Sequence, residues 1–233
     1  MKILYEDNDI VLVIKPPNMP SQPDKNGTLD LFSLLNEKYS KDKNVEIGLV
    51  HRLDRPVGGI MIFAKNINSL RKLNIQIKNR EINKYYVAKV CGIPQFQSKV
   101  QVNYIKKLKT INMAKVYETK MPYCKRAVLE YRVLDIDKKD QNYTYLNIYI
   151  HTGRFHQIRA QLSYIGLPIW GDRKYNKAFV KSKGDYNLAL WAHTLSFRHP
   201  ISNKPMSFSA LPPCNEPWVY FDSLDKFEYS KEI

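Results

Sequence analysis

Two short apolar runs near the N-terminus predict a pair of strands. Residues 3–5 and 10–14 are rich in Ile, Leu and Val, and the polar Asp7-Asn8-Asp9 sequence separates them. Lys15-Pro16-Pro17 follows the second run, and proline ends regular strand pairing because it has no amide proton to donate. We therefore expect two strands joined by a tight turn.

Three segments place apolar residues at the spacing of an amphipathic helix. The apolar positions are Leu31, Leu34 and Leu35 in the first segment, Leu70, Leu73 and Ile77 in the second, and Ile158, Leu162 and Ile165 in the third. The first predicted helix spans residues 29–38 with Thr28 as its N-cap, and Asn68 is expected to cap the second. The third spans residues 155–165 and is expected to stop at Gly166.

Six further segments have the composition or the alternation typical of strands. They are residues 59–65, 84–90, 127–136, 143–150, 188–197 and 206–211. The polar turn at residues 137–142 predicts an antiparallel hairpin. Strands outnumber helices, so we predict an α+β protein with a mostly antiparallel or mixed sheet and flanking helices. No internal repeat or Gly/Ser linker interrupts the sequence, and residues 1–233 are expected to form a single domain.

Positive charge is concentrated in three parts of the chain. The 233 residues include 37 Lys and Arg against 22 Asp and Glu, and the net charge is +15. Residues 65–89, 99–126 and 173–183 carry net charges of +6, +7 and +5. This clustering indicates a polyanionic partner, with nucleic acid ahead of an anionic membrane, although a solvated basic surface is a simpler alternative. Aromatic residues in the same segments favour RNA, because their rings stack on unpaired bases.

Other features exclude or disfavour several classes of protein. Cys91, Cys124 and Cys214 lie far apart without a Cys-x-x-Cys pair, so we expect neither a structural zinc site nor a disulfide framework. No apolar run approaches the roughly 20 residues needed to span a bilayer. The first residues turn acidic where a signal peptide would be apolar. These features predict a cytoplasmic protein with no metal.

A polar stretch at residues 48–60 has the composition of a catalytic loop. Asp54 follows Arg52 and precedes a glycine-containing turn and an apolar strand, which places its carboxylate on a loop entering a buried strand. Taken alone, this stretch is equally consistent with an Asp that caps a turn and pairs with Arg52 at the surface. Tyr86, on the strand at residues 84–90, is on its own most consistent with core packing.

A second polar stretch, residues 151–159, lies between a strand and the third helix. Its helical position puts Arg159 at the margin of the apolar face. Such an arginine either extends its head group to water or pairs with a buried acid, and spacing alone favours the first arrangement.

Several motifs, taken in order, resemble one known family. His51-Arg52-Leu53-Asp54, followed by Gly59 and Ala64-Lys65-Asn66, resembles the signature loop of the RluA-type pseudouridine synthases. The other matching segments are Ile3-Leu4-Tyr5-Glu6-Asp7 with Ile14-Lys15-Pro16, Lys84-x-Tyr86-x-Ala88-x-Val90-x-Gly92, Thr152-Gly153-Arg154-x-His156-Gln157-Ile158-Arg159, Gly166-x-Pro168-Ile169-x-Gly171-Asp172, and Leu195-Ser196-Phe197 with His199-Pro200. The resemblance covers nearly the whole chain and implies the pseudouridine synthase catalytic fold with a central RNA-binding cleft.

The sequence also departs from the pattern of that family. Val57-Gly58 stands where a Thr-Ser pair is usual, Leu167 where His is common, and Asn176 where Gly is common. The small N-terminal RNA-binding domain of many members is not expected here, since the catalytic strands begin at residue 3. Recognition of the substrate is then expected to come from the catalytic domain itself.

The resemblance implies that the protein isomerises specific uridines in ribosomal or transfer RNA to pseudouridine without a cofactor. Asp54 corresponds to the catalytic carboxylate, which either attacks the ribose or base or removes a ribose proton to form a glycal. Arg159 corresponds to its ion-pair partner, and Tyr86 to a tyrosine that stacks on the base and relays the C5 proton. All three are expected to be catalytic.

Four more residues are expected to bind substrate. Arg52 fills the space of the flipped uridine, His51 shapes the loop, and Arg154 and His156 contact RNA or brace the helix start. The expected partner is RNA, without a membrane or an obligatory protein partner, and the chain is expected to be a monomer. The rival functions are a catalytically idle RNA-binding factor on the same scaffold and a protein that binds anionic membranes.

Overall fold

The computed structural model describes residues 1–25, 27–137, 140–184 and 186–218. Its strands are β1 (Lys2–Glu6), β2 (Ile10–Lys15), β3 (Gly48–Leu49), β4 (Gly58–Ala64), β5 (Asn83–Cys91), β6 (Ser98–Leu108), β7 (Met113–Tyr117), β8 (Lys125–Ile136), β9 (Tyr143–Ile150), β10 (Leu190–Arg198) and β11 (Pro205–Ser209). Its helices are α1 (Leu31–Tyr39), α2 (Ile67–Asn79), α3 (Gln157–Tyr164) and α4 (Lys177–Val180). Within these ranges, no helix is both long enough and apolar enough to cross a bilayer.

The strands form one mixed sheet. Its order is β1-β2-β4-β10-β5-β9-β8-β6-β7, with β3 paired to β4 and β11 paired to β10. The named strands pair antiparallel except β4 and β10, which run parallel. The predicted hairpin is confirmed as β8–β9, although residues 138 and 139 of its turn lie outside the described residues. The predicted α+β class with a mixed sheet is also confirmed.

Both faces of the sheet are covered near β2 and β4. Alternate residues of β2 belong to two hydrophobic clusters: Val11 and Val13 pack with Leu31 of α1, and Ile10 and Leu12 pack with Leu73 of α2. A strand that is buried on both faces has a continuous apolar sequence instead of an alternating one. This explains the uninterrupted apolar runs at residues 10–14 and 60–64.

Two predicted helix caps are wrong. The N-cap of α1 is Asp30, whose carboxylate accepts a hydrogen bond from the Ser33 amide at 3.0 Å, whereas the Thr28 hydroxyl donates to Asp24. The N-cap of α2 is Asn66, and Asn68 lies inside the helix. An N-cap side chain must reach an amide two or three residues ahead, so its place depends on where helical backbone angles begin.

The third helix begins two residues later than predicted. His156 has a φ of 50°, in the left-handed region, so the right-handed helix starts at the next residue. Gly166 has a φ of 82°, and the following Leu167 amide donates to the Leu162 carbonyl. The predicted stop at Gly166 is confirmed.

Strands β6 and β7, which lie inside the basic segment 99–126, were not predicted from the sequence. Lysines interrupt their apolar alternation, and Val100 and Val102 are more than two-fifths exposed. The hairpin lies at one edge of the sheet, where β7 pairs with β6 and with no other strand of the described residues. Charged residues are common on such edges because they discourage pairing with another chain.

The parallel contact between β4 and β10 depends on two glycines. Gly58 pairs with Trp191 and Gly59 with Ala192. A Cβ on Gly58 would overlap the Trp191 ring, and one on Gly59 would overlap the Ala192 carbonyl oxygen. Gly59 also has a φ of +123°, which side-chain-bearing residues rarely adopt. The two strands can therefore approach closely only without side chains here.

We predict that Gly59→Ala destabilises the protein by about 4 kcal/mol, because backbone strain and overpacking each cost about 1–3 kcal/mol. Gly27→Ala is the matched control, since Gly27 also has a positive φ of 63° but open space around its Cα. The control is expected to cost about 1 kcal/mol. Urea unfolding of both variants measures the difference, and equal losses would contradict the steric explanation.

Candidate active site

One cleft contains all seven residues that were predicted to act in catalysis or substrate binding. Its lining includes Asp54, Tyr86, Arg159, His51, Arg52, Arg154 and His156. Asp54 lies on the loop before β4, Tyr86 lies on β5, and Arg159 lies on α3. Residues separated by more than a hundred positions in the sequence therefore face a common space.

Local hydrogen bonds hold the loop that carries Asp54. The Ser21 hydroxyl donates to the Leu53 carbonyl at 2.8 Å and accepts from the Leu53 amide at 3.1 Å. The Val57 amide donates to the Asp54 carbonyl at 2.9 Å, which closes a tight turn. Leu53 and Val57 are both buried, so apolar packing on either side of Asp54 fixes its backbone.

Arg159 is buried and paired with an acid. Its Nε and Nη2 donate to the two carboxylate oxygens of Asp172 at 2.8 and 2.7 Å. Of the two arrangements left open by the sequence, the pairing with a buried acid is found and the one that spacing alone favoured is not, because the loop after α3 brings Asp172 against the apolar margin of the helix. The third nitrogen, Nη1, lies 3.6 Å from Oδ2 of Asp54. One guanidinium thus faces two carboxylates.

Asp172 was quoted only as part of a family motif in the sequence analysis, without a role. It is 1% exposed, and its Oδ1 also accepts hydrogen bonds from the amides of Lys174 and Tyr175. It therefore orders the loop after α3 as well as Arg159. The sequence offered one signal for this pairing: Asp172 is an acidic residue in a family motif and lies thirteen residues after Arg159.

The electrostatic environment of Asp54 combines opposing effects. Burial raises the pKa of its carboxyl group, and the neighbouring Arg159 guanidinium lowers it. The net shift is upward from the ordinary value for Asp. A carboxylate with a raised pKa is a better base and nucleophile than an exposed one.

Lys15 is a second basic residue near Asp54, and its place at the end of a strand and in a family motif indicated no role for it. Its side chain is fully buried, and its Nζ donates to the carbonyls of Pro16, Met19 and Arg55 at 3.0, 2.7 and 3.1 Å. Burial lowers the pKa of Lys15 to about 7, although the charge of Asp54 opposes the shift. Lys15 ties β2 to the residue directly after Asp54.

Tyr86 is held in the middle of the sheet. It pairs with Ala192 of β10 on one side and Ile148 of β9 on the other, and it is 7% exposed. Burial and the negative charge of Asp54 raise the pKa of its phenol. The hydroxyl therefore stays protonated at neutral pH.

Three further predicted residues lie along the walls of the cleft. His51 Nε2 accepts a hydrogen bond from the Ile62 amide at 3.3 Å, and burial holds its pKa well below the ordinary value. Arg52 is exposed and donates to Gln22 at 3.2 Å. Arg154 Nε donates to the Arg126 carbonyl at 2.9 Å. His51 is thus neutral and tied to β4, whereas Arg52 extends into solvent.

His156 lies close to Asp54. Its Nε2 is 3.7 Å from Asp54 Oδ2, and its Nδ1 is 2.8 Å from the hydroxyl of Tyr175. The Tyr175 hydroxyl accepts a hydrogen bond from the Ala114 amide at 2.6 Å. Tyr175 is an aromatic residue of the basic segment 173–183, and no sequence pattern predicted its contact with His156.

The structure gives a physical reason for the unusual Val57-Gly58 pair. Val57 is 3% exposed and belongs to the main hydrophobic cluster. Gly58 leaves the space that the Trp191 ring occupies. A polar pair such as Thr-Ser would place a hydroxyl in the core and a side chain against this ring.

A second cluster of polar residues lies away from the cleft. Asp7, Asp9 and His199 offer three potential metal-ligand atoms within 4.8 Å of one another. Asp7 accepts hydrogen bonds from Tyr5 and His199, and Asp9 accepts from Asn66 and Ser69. These bonds join the β1–β2 turn to the start of α2, which is a structural role.

Comparisons with known proteins agree with this architecture. The RNA pseudouridylate synthase family model matches residues 9–164. An uncharacterized RNA pseudouridine synthase of Chlorobaculum parvum is 34% identical, with 89% of this chain and 69% of that protein covered. Ribosomal large subunit pseudouridine synthase D of Pasteurella multocida is 32% identical, with 90% and 67% covered. The chain spans about two thirds of the length of these curated relatives.

A solved structure shows the same fold. Human RNA Pseudouridylate Synthase Domain Containing 1 superposes with a TM-score of 0.78 at 20% identity, covering 97% of this chain and 91% of that chain. The fold and the family match define an RNA-modifying isomerase. The chain belongs to the RNA pseudouridylate synthase family and is an enzyme that converts uridine in RNA to pseudouridine.

We predict that Asp172→Asn lowers the free energy of unfolding by about 3–5 kcal/mol, because it leaves the buried Arg159 charge without its main partner. Glu130→Gln is the control, since Glu130 pairs with the half-exposed His151 at 3.8 Å. An exposed pair is worth less than about 1 kcal/mol. Urea unfolding at neutral pH compares the two, and a loss below 1 kcal/mol for Asp172→Asn would show that Arg159 is adequately solvated.

Proposed function

We propose that this enzyme modifies specific uridines in RNA of the large ribosomal subunit, with Asp54 as its catalytic carboxylate. The observation that carries the proposal is the juxtaposition of Asp54, Arg159 and Tyr86 in one cleft. Relatives named as large-subunit synthases support ribosomal RNA over transfer RNA as the first substrate to examine.

The reaction rearranges bonds without a change in redox state. The bond between uracil N1 and ribose C1′ breaks, the base turns, and a bond forms between C5 and C1′. C5 then loses its proton and N1 gains one, so the atoms balance and no external reagent is required. In our proposal Asp54 either attacks the substrate or removes a ribose proton, and both routes need its ionised form.

Arg159 supports this ionised form. Two unit charges about 4 Å apart attract by about 4 kcal/mol at an effective dielectric of 20. The 3.6 Å separation from Asp54 falls in this range, and burial of Arg159 limits screening by water. Because Asp172 fixes two nitrogens of the guanidinium, the third is held toward Asp54 without further loss of side-chain entropy.

Tyr86 is proposed to contact the uracil ring and to assist loss of the C5 proton. Its phenol is protonated at neutral pH because its pKa is raised, so it acts by donating a hydrogen bond or through a bound water. Its position on a central strand restrains the ring, which favours a stacking role.

Arg52 is proposed to help extract the uridine from the RNA stack. It is exposed, two residues before Asp54, and its contact with Gln22 is a single surface hydrogen bond. Extraction of a base costs a few kcal/mol, and a planar guanidinium that stacks in the vacated space offsets part of that cost.

The charge distribution supports RNA as the partner. The cleft is lined by Lys78, Arg80, Lys84 and Lys107, which come from two of the three basic segments. Phosphate contacts of this kind release counterions and weaken as salt rises. We also propose that the chain acts as a cytoplasmic monomer without a protein partner, so the purified protein is sufficient for the assays.

The predicted rival functions are less well supported. A catalytically idle RNA-binding factor would not need a buried ion pair held toward a raised-pKa carboxylate. An anionic-membrane-binding protein would need an amphipathic helix with a bulky apolar face, and the basic residues of the described edge hairpin β6–β7 lie on strands instead.

We predict that Asp54→Asn reduces pseudouridine formation by at least about 10³-fold, because the carboxamide keeps the shape but cannot act as base or nucleophile. RNA from a strain lacking the enzyme is incubated with the purified protein, and new pseudouridines are mapped in all RNAs. RNA affinity should be nearly unchanged. Asp42→Asn is the control, since Asp42 is exposed and its carboxylate accepts a hydrogen bond from the nearby Asn44 amide.

Two results would contradict the proposal. Substantial activity of Asp54→Asn would exclude Asp54 as the catalytic carboxylate. New pseudouridines in transfer RNA alone would exclude a ribosomal substrate while leaving the chemistry intact.

We predict that Arg52→Gln slows single-turnover modification of a paired target about tenfold at saturating RNA, because the vacated stack is no longer filled. The same uridine placed opposite a mismatch should be modified with a smaller loss, since less stacking is broken. Arg198→Gln is the control, because Arg198 bonds the Asn203 carbonyl away from the cleft. An equal loss on both targets would instead assign Arg52 to simple phosphate binding.

A further inference from the structure

A continuous series of polar contacts leads from the edge hairpin β6–β7 to Asp54. The Ala114 amide of β7 donates to the Tyr175 hydroxyl at 2.6 Å, and this hydroxyl lies 2.8 Å from Nδ1 of His156. Nε2 of the same imidazole lies 3.7 Å from Oδ2 of Asp54. The three contacts connect a backbone amide with the proposed catalytic carboxylate.

The two contacts of the Tyr175 hydroxyl bear on the tautomer of His156. The hydroxyl oxygen accepts from the Ala114 amide, and its own proton is available to the nearby Nδ1 of His156. A neutral imidazole that accepts at Nδ1 carries its proton on Nε2. In that tautomer the Nε2 proton faces the carboxylate of Asp54.

The imidazole is also neutral and rigidly held. Burial and the positive charges of Arg159 and Lys174 lower the pKa of His156 to about 3. Its ring stacks on Phe155 with centroids 3.8 Å apart and meets the Tyr175 ring edge-on. Its left-handed backbone angles are strained for a residue other than glycine, and such strain is found where surrounding structure demands one orientation.

We propose that His156 is a positioning residue that donates its Nε2 proton to the Asp54 carboxylate, with Tyr175 selecting the required tautomer. This inference rests on the proposed role of Asp54. The 3.7 Å separation shortens to a hydrogen bond when the uridine is bound, as catalytic contacts commonly tighten in the substrate complex.

A neutral donor has a specific advantage at this position. Arg159 and Lys15 already place positive charge near Asp54, and a protonated imidazole would further lower the basicity that either chemical route requires. A neutral N–H orients one carboxylate oxygen and leaves the other for the substrate. The same contacts connect Ala114 of the basic hairpin with the carboxylate of Asp54.

The first test compares two replacements of His156 that must both adopt its left-handed backbone angles. In His156→Gln the amide NH₂ can occupy the position of Nε2, whereas His156→Phe keeps the ring but has no donor. Single-turnover rates at saturating RNA should fall less than about threefold for Gln and about 10- to 100-fold for Phe, in line with a lost hydrogen bond to a charged group. RNA affinity should change little in either.

Tyr175→Phe removes the hydroxyl that selects the tautomer, and an intermediate loss of rate is expected. Tyr164→Phe is its matched control, since it removes the same group and the Tyr164 hydroxyl bonds the exposed Glu118. The control should retain wild-type rates. Thermal unfolding of each variant identifies losses that are due to misfolding.

A pH profile distinguishes positioning from packing. Loss of the donor raises the pKa of Asp54, so the acid limb of the rate profile should move to higher pH in His156→Phe and remain in place in His156→Gln. The other titratable or charged groups around this pair are Arg159, Lys15, Tyr86, Asp172, Lys174 and Lys107. They are unchanged in both variants, so the comparison isolates the donor.

A spectroscopic measurement tests the tautomer without relying on activity. The ¹⁵N chemical shifts of His156 in the folded wild-type protein at neutral pH should show a protonated Nε2 and an unprotonated Nδ1. The opposite tautomer, wild-type rates for His156→Phe, or equal losses for Gln and Phe would each overturn the inference. Activity in Asp54→Asn would instead overturn the proposed function on which it rests.

Discussion

The geometry of the candidate active site depends on the contacts that the buried guanidinium of Arg159 makes with two carboxylates. The guanidinium holds Asp172 with two nitrogens and faces Asp54 with the third, so one positive charge stabilises two negative ones. A buried charge of this kind costs several kcal/mol if it is left unpaired. Pairing of the Arg159 charge therefore requires both that the loop after α3 folds correctly and that Asp54 is placed beside the guanidinium.

The order of the central strands brings Asp54 and Tyr86 to the same cleft as the Arg159 charge. β10 lies between β4 and β5, so the loop entering β4 and the tyrosine of β5 open onto the same cleft. The close approach of β4 and β10 requires Gly58 and Gly59, and Lys15 ties β2 to the same loop. Val57-Gly58 is thus explained by packing against Trp191 and the core.

The edge hairpin β6–β7 has two roles that reinforce each other. Its lysines add to the positive charge of the cleft, and Lys107 lies 4.1 Å from the centre of the Phe155 ring. Its Ala114 amide contacts Tyr175, which contacts His156 beside Asp54. Hydrogen bonds therefore link this basic hairpin to His156, the proposed positioning residue.

The sequence by itself determined most of the strand and helix pattern, the basic character and the family motifs from which Asp54, Tyr86 and Arg159 are proposed as catalytic, because these depend on local composition and residue order. It misplaced the caps of α1 and α2 and missed the lysine-rich hairpin, since those features depend on backbone angles and on position within the sheet. Only the tertiary structure decided that Arg159 pairs with Asp172 and that Tyr175 meets His156. Such contacts arise when a helix, a loop and a distant hairpin pack together, and no local pattern encodes that arrangement.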